Sequence, residues 1–140
     1  MSIELIPLGT LHFEVTDTIS LPDSPAGRRV IVELSNTRWE GDRVRAVQRG
    51  KTAGDWLTVG PDFTATLEIR VVFTTDDGAT IFMQSHGRAD ARTFGSGGTT
   101  WLAPRFETDA PAYRWLNTIQ AVARGAGAAK TIAFDLFELR

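Results

Sequence analysis

The stretch Thr64 to Met83, TATLEIRVVFTTDDGATIFM, constrains the fold of this chain more than any other. Its apolar residues recur at every second position, which is the period of a β-strand and not of a helix. Asp76-Asp77-Gly78 interrupts the alternation with residues that tolerate the positive φ angles of hairpin turns. The stretch therefore predicts two antiparallel strands joined by a tight turn, and the rest of the chain must be compatible with that hairpin.

Apolar residues alternate with polar ones on both sides of this hairpin as well, which predicts further short strands. We expect these strands at residues 8–15, 28–35, 39–48, 55–59, 99–108 and 130–139. Gly41 lies within one of these segments and suggests a bulge or a close backbone approach. Pro104 lies within another and favours a sheet edge or a bulge, because proline has no N–H to donate to a ladder.

The remaining segments are rich in glycine, proline and polar residues, which is typical of loops and turns. Loops are predicted at residues 16–27, 49–54 and 86–98, the last long enough to be a lid or an interface arm, and a turn at 125–129. Residues 110–123 suit either a helix or a helical turn followed by a strand from Thr118, and the second is favoured. Because no strand–helix–strand alternation is present, we expect an all-β, antiparallel barrel or sandwich of eight or nine strands with at most one short helix.

Composition excludes several classes of function. The chain has 140 residues, enough for the single domain that we expect over residues 1–140, and 15 basic against 17 acidic residues give a net charge of −2. No basic patch for nucleic acid or an anionic membrane is expected. The absence of cysteine excludes disulfides, thiolate catalysis and Cys-ligated zinc. Because the chain has two histidines and no metal-ligand motif, we expect no metal and no cofactor. Because it has neither an apolar run of ~20 residues nor a leader segment, we expect a cytoplasmic protein with no membrane partner.

Charged residues share strand faces in a way that leaves two interpretations open. Glu68 and Arg70 lie on one face of the central strand, Glu40 is two residues from Asp42, and Arg105 and Glu107 also alternate. Such a face either lines the interior of the barrel or is the solvated outer face, and the second is the commoner arrangement. Three tryptophans stand beside charges, as in pocket walls, although a tryptophan can equally fill a small core. His86 lies at the rim of the glycine-rich segment, where it is either a proton donor or acceptor or simply exposed.

Four short motifs in order resemble a known family. They are Gly54-Asp55-Trp56; Arg70 with Thr75-Asp76-Asp77-Gly78-Ala79 and Ile81; Arg105-Phe106-Glu107-Thr108; and Tyr113 with Trp115-Leu116-Asn117. The chain resembles the bacterial and fungal family known as domain of unknown function 3237 (UPF0311) from Leu5 to Leu139. That resemblance implies a compact antiparallel β-barrel similar to calycins and allene-oxide-cyclase-like barrels. The family's motif residues correspond here to Asp55, Trp56, Arg70, Asp77, Arg105, Glu107, Trp115 and Asn117.

The chain departs from the family pattern at two positions, which puts the shape of a pocket in question but not the barrel. Val71 replaces an aromatic residue that often follows the central arginine. Asp62-Phe63 replaces the Asp-Gly that often follows the proline of the preceding turn.

From these residues we expect a small-molecule-binding barrel, and preferably a cofactor-independent isomerase, cyclase or lyase acting on an apolar or aromatic carbonyl compound. Glu40, Asp55 and Glu107 would move protons, and Arg70 would stabilise an enolate-like oxyanion. The expected ligand-binding residues are Trp39, Trp56, Glu68, His86, Trp101, Arg105, Trp115 and Asn117. The alternatives are a carrier for a small hydrophobic acid, and a structural or interaction protein; a homodimer is a further expectation.

Overall fold

The computed structural model describes residues 1–128 and 130–140, and their eight antiparallel strands close into a barrel. Each strand pairs with the next along the chain, and the last pairs with the first. The all-β barrel of eight strands is thereby confirmed. The strands are β1 (Leu5–Ser24), β2 (Gly27–Glu40), β3 (Arg45–Val59), β4 (Thr64–Thr75), β5 (Thr80–Asp90), β6 (Thr99–Glu107), β7 (Ala121–Ala128) and β8 (Thr131–Leu139).

The hairpin of β4 and β5 forms as the sequence predicts. Its register is uninterrupted from Thr64 opposite Asp90 to Thr74 opposite Thr80. Gly78 has φ +88°, a left-handed conformation that glycine adopts without steric cost. The alternate apolar residues of β4 are buried and the residues between them face outward, so the hairpin sets the inner and outer faces of the barrel.

Two predicted loops are wrong, because strand pairing extends through them. Residues 16–24 belong to β1 and pair with β2, for example Thr18 with Val32, and the turn is confined to the residues just before Gly27. Residues 49–52 form an outward bulge within β3, between Gln48 opposite Phe73 and Ala53 opposite Val71. The composition of these segments led to an overestimate of the length of both loops, because cross-strand hydrogen bonds outweigh local conformational preference.

Other boundaries also move. The predicted strand 39–48 is wrong, because β2 ends at Glu40 and β3 begins at Arg45. Gly41 does lie in a close backbone approach, since a Cβ there would clash with the carbonyl oxygen of Leu8. Strand β5 runs on to Asp90, which shortens the predicted loop at 86–98, and a 3₁₀ turn follows at Ala91–Thr93.

The ambiguous segment 110–123 contains a 3₁₀ helix, Pro111–Thr118, followed by β7, which confirms the favoured interpretation although the strand begins three residues later than Thr118. The turn predicted at 125–129 is wrong as far as residue 128, because those residues pair with β8, and Ala129 lies outside the described residues. Pro104 is opposite Ser85 of β5, and pairing of β6 with β7 ends at Leu102, so the proline lies where β6 has one neighbour.

The interior of the barrel differs between its two ends. One end, here called the packed end, lies at the turns joining β2 to β3, β4 to β5 and β6 to β7, and the 3₁₀ helix closes it with a fully buried Leu116. Large side chains fill it, and the Trp39 ring stacks on Phe106 with centroids 5.0 Å apart. At the opposite end, the cavity end, mostly apolar side chains surround open space. No described helix is long and apolar enough to cross a membrane.

Candidate functional site

A cavity of about 410 Å³ occupies the cavity end of the barrel. Its floor includes the perpendicular pair of Phe13 and Phe134, whose centroids are 5.6 Å apart. Its walls are mostly aliphatic because the inward positions of β2, β3 and β4 carry valine, leucine and isoleucine. This volume and this lining are typical of sites for small molecules. The aliphatic wall residues are Val15, Val30, Val32, Leu34, Leu57, Val59, Leu67, Ile69 and Ile132.

Asp55 is the one carboxylic acid that lines this cavity in the described part of the chain. Asp55 lies on β3 opposite Ile69 of β4. It is two residues from the inward-facing Leu57, so it shares that inward face, and it is 5% exposed. The Oδ1 atom accepts a hydrogen bond from the backbone N–H of Glu68 at 3.0 Å. The Oδ2 atom makes no hydrogen bond with any described residue. Among those residues every side-chain oxygen or nitrogen that is completely shielded has a partner, so Oδ2 is not completely shielded. Oδ2 is therefore open to the cavity.

The burial of this carboxyl group changes its acidity. Loss of hydration inside the barrel raises the pKa of Asp55 from 3.8 to about 7, since burial penalises the charged form. The hydrogen bond from the Glu68 N–H opposes the shift, and the negative charge of the Glu68 side chain adds to it. A carboxyl group whose pKa lies near neutral pH is available in both protonation states, as general acid–base chemistry needs.

Few other polar groups reach the cavity. The side chain of Thr100 projects from β6 on the far wall and is 8% exposed. Its hydroxyl has no protein partner within residues 1–128 and 130–140, so it can donate a hydrogen bond to a ligand. The remaining polar side chains, Thr18, Arg28 and Arg92, lie at the mouth. A ligand would therefore contact mostly apolar walls, with polar side chains at only a few positions.

The mouth of the cavity is formed by the β3–β4 turn and the mouth loop, which is residues 91–98. Phe63 and Phe94 line the mouth and are each 46% exposed. The Ala91 N–H donates to the Phe63 carbonyl at 2.9 Å, which ties the mouth loop to the turn. The Arg92 guanidinium lies 5.6 Å from the centroid of the Phe63 ring. Residues 91–98, the part of the predicted lid or interface arm that lies outside β5, are thus located at the entrance.

The structure places most of the predicted catalytic set on the outer face of the barrel. Arg70 forms an ion pair with Glu68 at 2.7 Å, and both side chains are in contact with solvent. Glu40 is exposed and lies 3.3 Å from Arg38. Glu107 is exposed at the end of β6. Of the four residues expected to do chemistry, Asp55 alone faces the interior, because the alternation of each strand turns the charged residues away from the apolar core.

The predicted ligand-binding residues are also dispersed. The exposed residues Trp56, His86, Trp101 and Arg105 lie on the outer face. Trp39 is fully buried, but it belongs to the packed end, where its Nε1 donates to the carbonyl of Leu8 at 2.8 Å.

Trp115 and Asn117 belong to the 3₁₀ helix of the packed end. The Arg43 guanidinium lies 4.5 Å from the Trp115 ring centroid. The Asn117 side chain bonds both the N–H and the carbonyl of Thr108, at 2.8 and 2.9 Å. Both residues anchor the helix to its surroundings.

A wider groove of about 1200 Å³ lies outside the barrel, between the outward bulges of β2 and β3. Trp56 and Arg70 line it, and the Arg70 guanidinium is 5.5 Å from the Trp56 ring. Its ionic groups stay hydrated and partly paired, so the groove does not concentrate their charges on a ligand. Within the described residues no cluster of three metal-ligating side chains is present.

The fold and the interior cavity define a class of small closed β-barrels in which, among the described residues, a single carboxyl group lines the cavity. The model of the family "Protein of unknown function (DUF3237)" matches residues 3–139, and the chain belongs to this family, as its sequence motifs indicate. No curated protein sequence matches the chain significantly.

Solved structures show the same barrel. A β-barrel-like protein from Acinetobacter baumannii has 26% identity and a TM-score of 0.87, covering 100% of this chain and 98% of its own. A protein of unknown function from Rhodopseudomonas palustris has 22% identity and a TM-score of 0.88, covering 100% and 99%. An enzyme from Penicillium herquei has 18% identity and a TM-score of 0.64, covering 96% and 93%. The last two likenesses show the shared fold alone.

Several cavity residues escaped the sequence analysis. Arg28, Phe63, Phe94 and Thr100 line the cavity or its mouth, and none was expected there. Arg28 has the same parity along its strand as the inward Val30 and Val32, which is a usable signal. Phe63 and Phe94 lie in turns, where side-chain direction follows no period.

Proposed function

We propose that the cavity binds a small, mostly apolar carbonyl compound and that Asp55 exchanges a proton with it, without a cofactor. The observation that carries this proposal is a buried carboxyl group with a pKa of about 7 whose Oδ2 faces an apolar cavity of about 410 Å³. A carboxylate in a water-poor site is a stronger base than one in water, because protonation removes a poorly solvated charge. Isomerisation, cyclisation and lyase reactions that pass through an enolate use such a proton transfer.

The chemistry assigns roles to two residues. The Asp55 carboxylate takes a proton from the carbon next to the carbonyl, and the electron pair of that C–H bond forms an enolate. The Thr100 hydroxyl donates a hydrogen bond to the oxygen that gains charge. Return of the proton from Asp55 to another atom of the enolate gives the isomer. Arg70 lies outside the barrel and has no part in this scheme.

Deuterium exchange tests the proton transfer directly. 2-Tetralone, an aromatic ketone with acidic protons beside its carbonyl, is incubated with the protein in D₂O, and loss of the C1 proton signal is followed by NMR. We expect exchange above the buffer rate, and Asp55→Asn lowers the protein-dependent rate by about 100-fold or more. Asp135→Asn, an exposed carboxylate on β8, is the matched control and leaves the rate unchanged. An equal rate in wild type and Asp55→Asn contradicts the proposal.

The rate also depends on pH in a defined direction. Because the base is the carboxylate form, the protein-dependent exchange rate rises with pH and levels off above the pKa of about 7. A rate that is already level at pH 5 excludes a base with a raised pKa.

A carrier for a small hydrophobic molecule is the second candidate, and the sparsely polar cavity wall favours it. Tight binding of a ketone with no deuterium exchange in the wild-type protein would support the carrier over the enzyme.

A further inference from the structure

Two guanidinium groups line the mouth of the cavity, and their surroundings differ. Arg92 is bound to Asp90 through two hydrogen bonds of 2.9 Å, from Nε and Nη2, so its charge is neutralised locally. Asp62 also contributes negative charge near Arg92. Arg28 makes no side-chain hydrogen bond or ion pair with any residue in the described part of the chain. Among the described residues, Arg28 is therefore the guanidinium at the mouth that pairs with no carboxylate.

The register of β2 fixes where this charge lies relative to Asp55. Arg28 shares the inward parity of Val30 and Val32, and Val32 is directly opposite Asp55. Four residues of β-strand span about 13 Å, so Arg28 is displaced by that distance along the strand towards the entrance. A ligand that touches both groups needs an elongated apolar body with its charge at one end.

Phe63 supplies a second observation at the same entrance. Its φ angle is +64°, a left-handed conformation that is uncommon for a bulky residue and costs of order 1–2 kcal/mol. The ring lines the cavity, and 46% of the residue is exposed, so burial does not compensate for this cost. A strained aromatic residue at a cavity mouth is typical of a ligand contact.

We propose that the mouth recognises an amphiphilic organic anion: Arg28 pairs with a carboxylate or similar group, Phe63 packs against a planar ring, and the apolar body extends into the cavity towards Asp55. This inference rests on the proposed function, because it names the class of molecule that the same cavity takes. A charged rim with an apolar interior distinguishes such an acid from its neutral analogue, since only the acid gains the ion pair.

Two fluorescent probes distinguish the contribution of the anionic group from that of the apolar rings. 1-Anilinonaphthalene-8-sulfonate carries an anionic group, and N-phenyl-1-naphthylamine is the same ring system without it. Both are titrated into the folded protein, and their dissociation constants are compared. We expect the anionic probe to bind about tenfold more tightly, as a charge-assisted contact at an exposed rim predicts.

Variants assign the preference to named residues. Arg28→Gln weakens the anionic probe about tenfold and leaves the neutral probe unchanged, whereas Arg28→Lys retains part of the preference. Arg124→Gln, an exposed arginine on β7, is the matched control and changes neither constant. Phe63→Gly weakens both probes by about three- to tenfold while thermal stability holds or rises, because glycine relieves the left-handed strain.

Cavity occupancy is controlled with Val32→Phe, which places a ring in the cavity opposite Asp55. If this variant blocks both probes and Arg28→Gln weakens only the anionic one, the inference holds. If it blocks both probes but Arg28→Gln affects them equally or not at all, the anion proposal is wrong and the proposed cavity function stands. If Val32→Phe blocks neither probe, the probes do not enter the cavity, which contradicts the proposed site and the anion proposal together.

Discussion

The two ends of this barrel share the same strands but differ in what fills them. At the packed end, Trp39, Phe73 and Phe106 interlock and the 3₁₀ helix covers them. At the cavity end, inward positions carry mostly aliphatic residues together with Asp55, and a glycine-rich loop forms the mouth. One strand can therefore contribute to a dense core and to a ligand cavity, because the size of alternate side chains changes along its length.

The comparison also separates two kinds of buried polar group. The Trp39 Nε1 is satisfied by the Leu8 carbonyl, so it stabilises the packed end. Asp55 has one oxygen bonded to a backbone N–H and the other open to the cavity, so the second oxygen can form a hydrogen bond with a ligand. A buried carboxyl group with one oxygen that no protein group binds therefore distinguishes the cavity end from the packed end.

Truncation of Trp39 should have the largest effect on stability. Trp39→Ala is expected to lower the free energy of unfolding by about 3–5 kcal/mol, because it leaves a cavity and an unpaired Leu8 carbonyl. Val32→Ala, at the cavity end, should cost about 1–2 kcal/mol, since its side chain already borders open space. Urea denaturation measures both, and equal losses would contradict the difference between the two ends.

Replacement of Asp55 should change how stability depends on pH. Below pH 4 the carboxyl is protonated in the folded and the unfolded chain. Between about pH 4 and pH 7 only the unfolded chain releases this proton, so the contribution of Asp55 to the stability of wild type should fall by up to about 4 kcal/mol over that range.

Asp55→Asn cannot ionise and should lack this decline, so it should become the more stable protein near pH 7 and above. Asp135→Asn, at an exposed position on β8, is the control for removal of a carboxylate outside the cavity. Urea titrations at a series of pH values measure the difference, and parallel profiles for wild type and Asp55→Asn would show that Asp55 has an unshifted pKa.

Added volume should also distinguish the two ends. Ala46→Phe enlarges a residue that is opposite Trp39 and 3% exposed, so overpacking should cost about 1–3 kcal/mol or more. Val32→Phe adds a ring where the cavity can accept it and should change stability by less than about 1 kcal/mol. Thermal unfolding compares the two variants, and a severe loss in Val32→Phe would indicate that the cavity end is already filled.

A charge on the outer face should matter least. Glu107→Gln is expected to change the free energy of unfolding by no more than about 0.5 kcal/mol, because the exposed side chain keeps its hydration. A loss of several kcal/mol would mean that the outer charges have a structural function that their exposure does not indicate.

Strand periodicity was sufficient to predict an all-β barrel or sandwich and the central hairpin, because alternate burial is a local property of each strand. The choice of a barrel came from the family resemblance. It failed at residues 16–24 and 49–54, where strand pairing depends on partners distant in sequence. The motifs of the family identified Asp55, and the register of β3 then placed it inside the barrel.

The other predicted catalytic residues show the limit of such patterns. Arg70 and Glu107 have the parity of an outer face, and sequence alone did not determine which face closed inward. The mouth residues Phe63 and Phe94 come from separate turns that only the closed barrel brings together. Turn geometry and long-range closure were the information that the sequence patterns lacked.

The central claim is that a carboxyl group lies in an apolar cavity at one end of the barrel and holds its proton near neutral pH. The most direct test is a ¹³C NMR titration of the Asp55 carboxyl carbon, assigned by its disappearance in Asp55→Asn. The account predicts a midpoint near pH 7. A midpoint near pH 4, as for an exposed aspartate, would contradict it.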